Sequence, residues 1–290
     1  LARAWADPEE NPLLSRVIVN RVWHHLFGKG IVKSVDNFGH LGAQPSHPEL
    51  LDYLATDFIG NGWSIKDLIF KIVTSRTFRQ QSRPVTEDVA TLDPQNIYLS
   101  HMPMRRIEGE IIRDAILTVS GQLDPTVGGR SVPIHLTKFT SGRGRPASGP
   151  LDGDGRRSIY LAVRRNFLSP WMLVFDTPIP LGPVGRRNKS NVPAQPLALL
   201  NDPFVIDQAH HWAKKIITAE GESLHTIING FYRDAFSRSP TEDERRIAIE
   251  FLSTLAAERN LDQTDWLKNT DLWADYAHAL LNTKEFIYLP

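Results

Sequence analysis

The chain has 290 residues, 41% hydrophobic and 23% charged, enough for one large domain or two small ones of ordinary globular composition. Its 33 basic and 33 acidic residues cancel, so no global charge draws it to nucleic acid or to an anionic membrane. It has no cysteine, which excludes disulfides, thiol catalysis, zinc–thiolate sites and covalently attached c-type haem within this segment.

Residues 1–10 are polar and read as a linker from an upstream region. The chain starts at Leu1 rather than Met and reads as part of a longer protein. No apolar run reaches the roughly 18 residues that span a bilayer.

Residues 11–121 read as an N-terminal helical core. Asn11 and Pro12 suit a helix start, because Pro lacks only an N–H that has no helical partner there, and Gly28 suits the left-handed end. Leu14, Ile18, Val22 and Leu26 form one row, and Val19, Trp23 and Phe27 a second. With Leu13 and Val17 on the far side, the first half is predicted buried all round. Asn20, Arg21, His24 and His25 form a polar end. It either surfaces or lines a pocket under loop 29–46, where Asp36, Asn37 and His40 offer partners.

Ser46-His47-Pro48-Glu49 reads as a capping box, and Ser64 with Asp67 starts the next helix in the same style. His47, Glu49, Asp36 and His40 show no recognised ligand spacing, and no metal site is expected. After a Pro-containing connector at 83–104, Arg105–Ser120 is a predicted helix with Ile107, Ile111, Ile112, Ala115, Ile116 and Val119 inward and Gly121 as its cap. Its Arg106, Glu110, Arg113 and Asp114 read as a salt-bridged face; the alternative is that Glu108, Glu110 and Asp114 include a general acid or base. Asn20, Arg21, His24, His47, Arg106 and Asp114 are the candidate residues of a polar pocket; catalysis would require several of them to converge.

Residues 122–192 read as a Gly/Pro-rich loop with short strands, and the run at 141–155 is predicted to build no core. A connection this long is a functional loop or a disordered one. Asp152 and Asp154 before Gly155 lack the remaining positions of a calcium loop. Arg156–Val163 is the best predicted strand, with Ser131–Leu136 as its partner.

Charge is unevenly placed. Residues 143–190 hold nine basic and three acidic side chains, a net +6; residues 220–290 hold seven and thirteen, a net −6. Either the two regions dock and neutralise each other, or Arg164, Arg165, Arg186 and Arg187, with Asn166 and Asn188, grip an anionic group through the planar guanidinium fork.

Residues 193–290 read as the C-terminal helical part of the same domain. Asp202-Pro203 starts a helix, and Ser239-Pro240-Thr241-Glu242 is a further predicted capping box. His210 and His211 are adjacent and cannot face the same way on a helix. The last long helix is predicted near Leu272–Thr283.

Several phrases carry a resemblance. They include Asn20-Arg21-Val22-Trp23, Phe27-Gly28-Lys29-Gly30, Asp36-Asn37-Phe38-Gly39, Ser46-His47-Pro48-Glu49-Leu50-Leu51, Arg156-Arg157-Ser158-Ile159-Tyr160 and Leu197-Ala198-Leu199-Leu200-Asn201. Together they resemble domain-of-unknown-function family 1553, the C-terminal part of large exported planctomycete proteins that often carry a cytochrome-c-like module upstream. The resemblance implies an exported, periplasmic or cell-surface location and upstream domains of the same polypeptide as partners. It brings no catalytic assignment.

The expectation is a mainly α fold: a compact multi-helix domain of about nine helices with a small β element near the middle and a long central loop. No catalytic triad order, P-loop or dinucleotide fingerprint is present, and no cofactor is expected within this segment. The leading function is a non-catalytic binding or scaffolding domain whose partner is an anionic ligand or glycan. The alternative is a hydrolase or other enzyme acting on extracellular polysaccharide.

Overall fold

Several helices start where a side chain supplies an acceptor for their first N–H groups, and that side chain is not always the expected one. The computed structural model describes residues 7, 9–84, 86–182, 184–220 and 223–289. The predicted lead-in linker lies mostly outside the described residues. Twelve α-helices are present among them, with one ladder of two short strands, so the fold is mainly α. The chain divides into two compact units. One runs to Arg105 and includes Val184–Arg186; the other holds Arg106–Pro183 and Arg187–Leu289.

In the first unit α1 is Leu13–Phe27, α2 Pro48–Gly60, α3 Ile65–Val73 and α4 Glu87–Leu92. Asn11 Oδ1 accepts from the N–H of Leu13, and Gly28 closes α1 at φ 80°. The helix is not buried all round. Val19, Trp23 and Phe27 are buried, the row of Leu14, Ile18, Val22 and Leu26 is half-buried, and Leu13 is half exposed. The buried row packs on Leu51, Leu54 and Phe58 of α2 and on Leu68 and Ile72 of α3. Trp23 stacks on Phe27 at 4.3 Å, and Phe78 meets Phe27 edge-on at 5.5 Å. Burying side chains of this size stabilises by roughly 1.5–3 kcal/mol each.

Ser64 caps α3 through the N–H of Asp67, as its position suggests. Ser46 does not cap α2. The N-cap is His47, with no side-chain bond to the helix, because the Ser46 hydroxyl donates to the carbonyl of Ile31 at 3.2 Å. The Ser46 N–H donates to the same carbonyl, and Val32 and Pro45 form an antiparallel bridge beside it. Ser46 therefore closes loop 31–46.

In the second unit α5 is Gly109–Ser120, α6 Pro170–Val174, α7 Ala194–Asn201, α8 Pro203–Glu220, α9 Leu224–Phe236, α10 Glu242–Glu258, α11 Thr270–Leu281 and α12 Lys284–Ile287. Strand β1, Arg105–Arg106, pairs with β2, Tyr288–Leu289, and Ile107 donates to the carbonyl of Ile287 at 3.0 Å. This ladder keeps 105–107 extended, so α5 begins four residues later than predicted. Gly109 then lets the helix approach Phe175, whose Cβ lies 2.6 Å from where a Cβ on residue 109 would stand. On α5 the buried face is Ile112, Ile116, Leu117 and Val119; Ile111 points outward, 52% exposed.

The core of this unit is aromatic at its centre. Phe231 of α9 touches Trp212 of α8 at 4.8 Å, Trp273 of α11 at 5.9 Å and Tyr276 at 5.5 Å. Edge-on and offset ring pairs add about 0.5–1.5 kcal/mol beyond their buried area. Asp202 caps α8 by accepting from the N–H of Phe204 at 2.9 Å. The capping box of α10 sits two residues beyond the predicted one: Thr241 accepts from Glu244 N–H at 3.2 Å, and Glu244 accepts from Thr241 N–H at 2.7 Å.

The predicted strand at Arg156–Val163 is not a strand. Asp114 Oδ1 accepts both the N–H and the hydroxyl of Ser158 at 2.7 Å, which turns Ser158–Tyr160 into a 3₁₀ turn. Only an isolated parallel bridge, Val132 with Leu161, remains of the pairing with Ser131–Leu136. The central loop nevertheless builds a small core, in which Ile134, Leu136 and Phe167 are each no more than 6% exposed. Gly149 donates to the carbonyl of Ile134 at 2.9 Å and fits against Pro133 only because it has no Cβ.

Candidate functional site

Two polar networks and one pocket lie in the second unit, and α5 supplies residues to all three. At the start of the unit, buried Arg106 donates to Asp176 Oδ2 at 2.5 Å. Asp176 also accepts the N–H and hydroxyl of Ser190, both at 2.8 Å. It does so from φ 65°, a strained conformation for a residue with a side chain. Glu110 accepts from Arg187 at 2.7 Å and from Thr177 at 3.4 Å. Burial pushes the Glu110 carboxyl up, but the Arg187 hydrogen bond and charge outweigh it and hold the group below the usual carboxylate range. Arg187 is held above its usual value by the same bond.

The second network stitches the glycine-rich loop to α5. Arg113 is 5% exposed and donates to the carbonyl of Arg156 at 2.9 Å, to Ser158 Oγ at 3.1 Å and to the carbonyl of Asp152. Burial lowers its pKa, with Asp114 and Asp152 opposing that shift. A guanidinium with its donors taken by backbone carbonyls is a brace.

Beside this brace lies a cavity of about 130 Å³. Ile134, Leu161, Trp171 and Phe204 give it apolar walls, and His135 and Asp202 stand in its lining. Trp171 and Phe204 meet edge-on at 6.1 Å. Burial pushes the Asp202 carboxyl above its usual range; the Phe204 N–H and the charge of His135 pull it back only in part. Asp202 entered the sequence reading only as a helix cap, and His135 and Trp171 did not enter it at all. The pocket draws on segments at 134–137, 150–161, 169–171 and 202–204, which only the fold brings together.

The residues expected to form a polar pocket are divided between the units. Asn20, Arg21, His24 and His47 belong to the first, Arg106 and Asp114 to the second. In the first unit, Asn20 is fully buried and binds loop backbone, whereas Arg21 is exposed. In the second, Arg106 serves the Asp176 network and Asp114 the Ser158 turn.

Of the anion candidates, Arg164, Arg165, Asn166, Arg186 and Asn188 are exposed, and Arg187 is committed to Glu108 and Glu110. Arg164 and Phe167 close a tight turn through a 3.0 Å backbone bond, with buried Phe167 as its anchor. Among the described residues, Arg164 and Arg165 carry no ion pair. Part of the charge asymmetry is neutralised locally. Arg156 pairs with Asp124, Arg157 with Asp114 and Arg187 with Glu108 and Glu110. In the acidic C-terminal part Arg238 takes Glu244 and Glu285, Arg246 takes Asp243 and Arg259 takes Asp275. Among the described residues no ion pair joins residues 143–190 to residues 220–290.

Residues 1–252 match the family model described as "Protein of unknown function (DUF1553)". The chain belongs to the DUF1553 family. The match takes in all of the first unit's main segment, both polar networks and every residue of the pocket; Trp273 and Tyr276 of α11 lie beyond it. No curated protein and no solved structure matches this DUF1553 chain.

Proposed function

We propose that this chain is a non-catalytic binding domain of an exported multidomain protein and that it holds an anionic ligand, an acidic glycan being the class that suits such a protein. The observation that carries the reading is the turn at Arg164-Arg165-Asn166. It is exposed, held in shape by Phe167 beneath it, and its two guanidinium groups have no ion pair among the described residues. The other arginines of the second unit described above are spent on carboxylates or carbonyls. Two adjacent unspent guanidinium groups on an ordered turn suit sulfate or carboxylate groups. Glu110 and Asp114 are each bound to structural partners.

The test is binding to sulfated, uronic-acid and neutral glycans at low and high salt, with Arg164→Ala/Arg165→Ala as the variant. Charge-driven binding weakens at high salt and in the variant. Equal binding by the folded variant overturns the assignment, and hydrolysis of any glycan in the panel establishes the enzymatic alternative.

A further inference from the structure

The arginine turn leaves the cavity beside α5 unexplained. Its chemistry differs from that of the turn. Trp171 and Phe204, with Ile134 and Leu161, line the cavity together with the carboxyl-bearing Asp202 and the imidazole-bearing His135. A volume of about 130 Å³ is of the order that takes the body of one six-membered ring.

Charge selects among ligands of that size. An anion would meet the Asp202 carboxyl, and the nearby Arg113 guanidinium already has its donors on Asp152, Arg156 and Ser158. A cation would find the Phe204 ring already covered by that guanidinium, 5.6 Å from the ring centre. A neutral ring with one apolar face and one hydroxyl edge brings no charge against Asp202. Its face lies on Trp171, the Phe204 ring being covered, and its hydroxyls exchange hydrogen bonds with Asp202 and His135. Asp202 suits this role because its other oxygen, Oδ1, is fixed by the Phe204 N–H at the start of α8.

We infer that the cavity is a binding site for one neutral, hydroxyl-bearing six-membered ring, a single sugar unit or a cyclic polyol. This inference does not rest on the arginine turn.

The experiment is saturation-transfer NMR on the full chain with glucose, myo-inositol and glucuronate. Four proteins are compared: wild type, Leu151→Trp, Asp202→Asn and Arg164→Ala/Arg165→Ala. Leu151 lines the cavity and is 37% exposed, so a larger side chain there fills the space without entering the core. Asn at 202 keeps the cap and removes the charge. Transfer to glucose or inositol ring protons is expected in the wild type, with glucuronate weaker. It is expected to vanish in Leu151→Trp and to fall about tenfold in affinity in Asp202→Asn. No transfer from either neutral ring, full transfer in the folded Leu151→Trp protein, or glucuronate binding equal to glucose each overturns the assignment. Loss of binding in Arg164→Ala/Arg165→Ala, with the Leu151→Trp protein unaffected, also overturns it and places the ligand at the turn.

Discussion

Asn20 holds both backbone polar groups of Val32. Its Nδ2 donates to the Val32 carbonyl at 3.0 Å, and its Oδ1 accepts from the Val32 N–H at 2.8 Å. Asn20 is fully buried and Val32 is 3% exposed, so water cannot replace either bond. Replacing Asn20 by Ala strands a donor and an acceptor and is expected to cost about 2–5 kcal/mol. Gly30→Ala is expected to act on the same pair, because a Cβ at residue 30 would stand 2.8 Å from Asn20 Nδ2. Thermal or urea unfolding measures both; a Tm for Asn20→Ala within error of the wild type removes Asn20 from this role.

The two cap sites make opposite predictions. Thr241→Ala removes an acceptor for the Glu244 N–H and is expected to cost about 1 kcal/mol. Ser46→Ala leaves the start of α2 as it was and loses only a loop hydroxyl at the edge of solvent, so about 0.5 kcal/mol is expected. Equal losses in parallel unfolding experiments would return Ser46 to a capping role.

Acid should weaken the C-terminal helices through Glu244. Its hydrogen bonds from Arg238, then from Thr241, hold its carboxyl at about 2, against an ordinary 4.5. A carboxyl depressed on folding stabilises above its ordinary value and loses that contribution as pH falls through the folded one. Between pH 4.5 and 2 the wild type should therefore lose about 1 kcal/mol that Glu244→Gln does not, the partly exposed pair being screened by solvent. Unfolding curves across that range decide it, and parallel pH profiles would refute the assignment.

Proteolysis should distinguish two arginine pairs in the central loop. Arg143 and Arg145 lie in an exposed run, and Arg143 stands between two glycines with positive φ. Arg156 is pinned at both ends, its N–H to Gly153 and its carbonyl to Arg113, and the chain at Arg157 continues into the Asp114 turn. Trypsin is expected to cut first after Arg143, since the Arg145–Pro146 bond resists it. First cleavage after Arg156 or Arg157 would show that the Arg113 brace does not hold the loop.

Local signals were legible in the sequence where nothing competed with them. Gly28, Ser64 and Asp202 do what their residue types suggest, because helix ends depend on a few adjacent atoms. The readings that failed met a partner distant in sequence. Ser46 is diverted by Ile31, Ser158 by Asp114, and the start of α5 by Ile287. Asn20 was visible as a polar residue on an apolar helix, but its partner in Val32 was not. The exposed arginines could be counted from the sequence, whereas the spending of Arg187 on Glu110 depends on a separation of 77 residues. The pocket was least legible, since no two of its wall segments announce each other by pattern.

The hydrogen bond from Ile107 to Ile287 sets the entry and exit of the second unit side by side. A pull applied between these two positions would load that junction before any helix pair in the interior. It would part like a zipper, bond by bond, and the aromatic centre around Phe231 would feel the tension only afterwards.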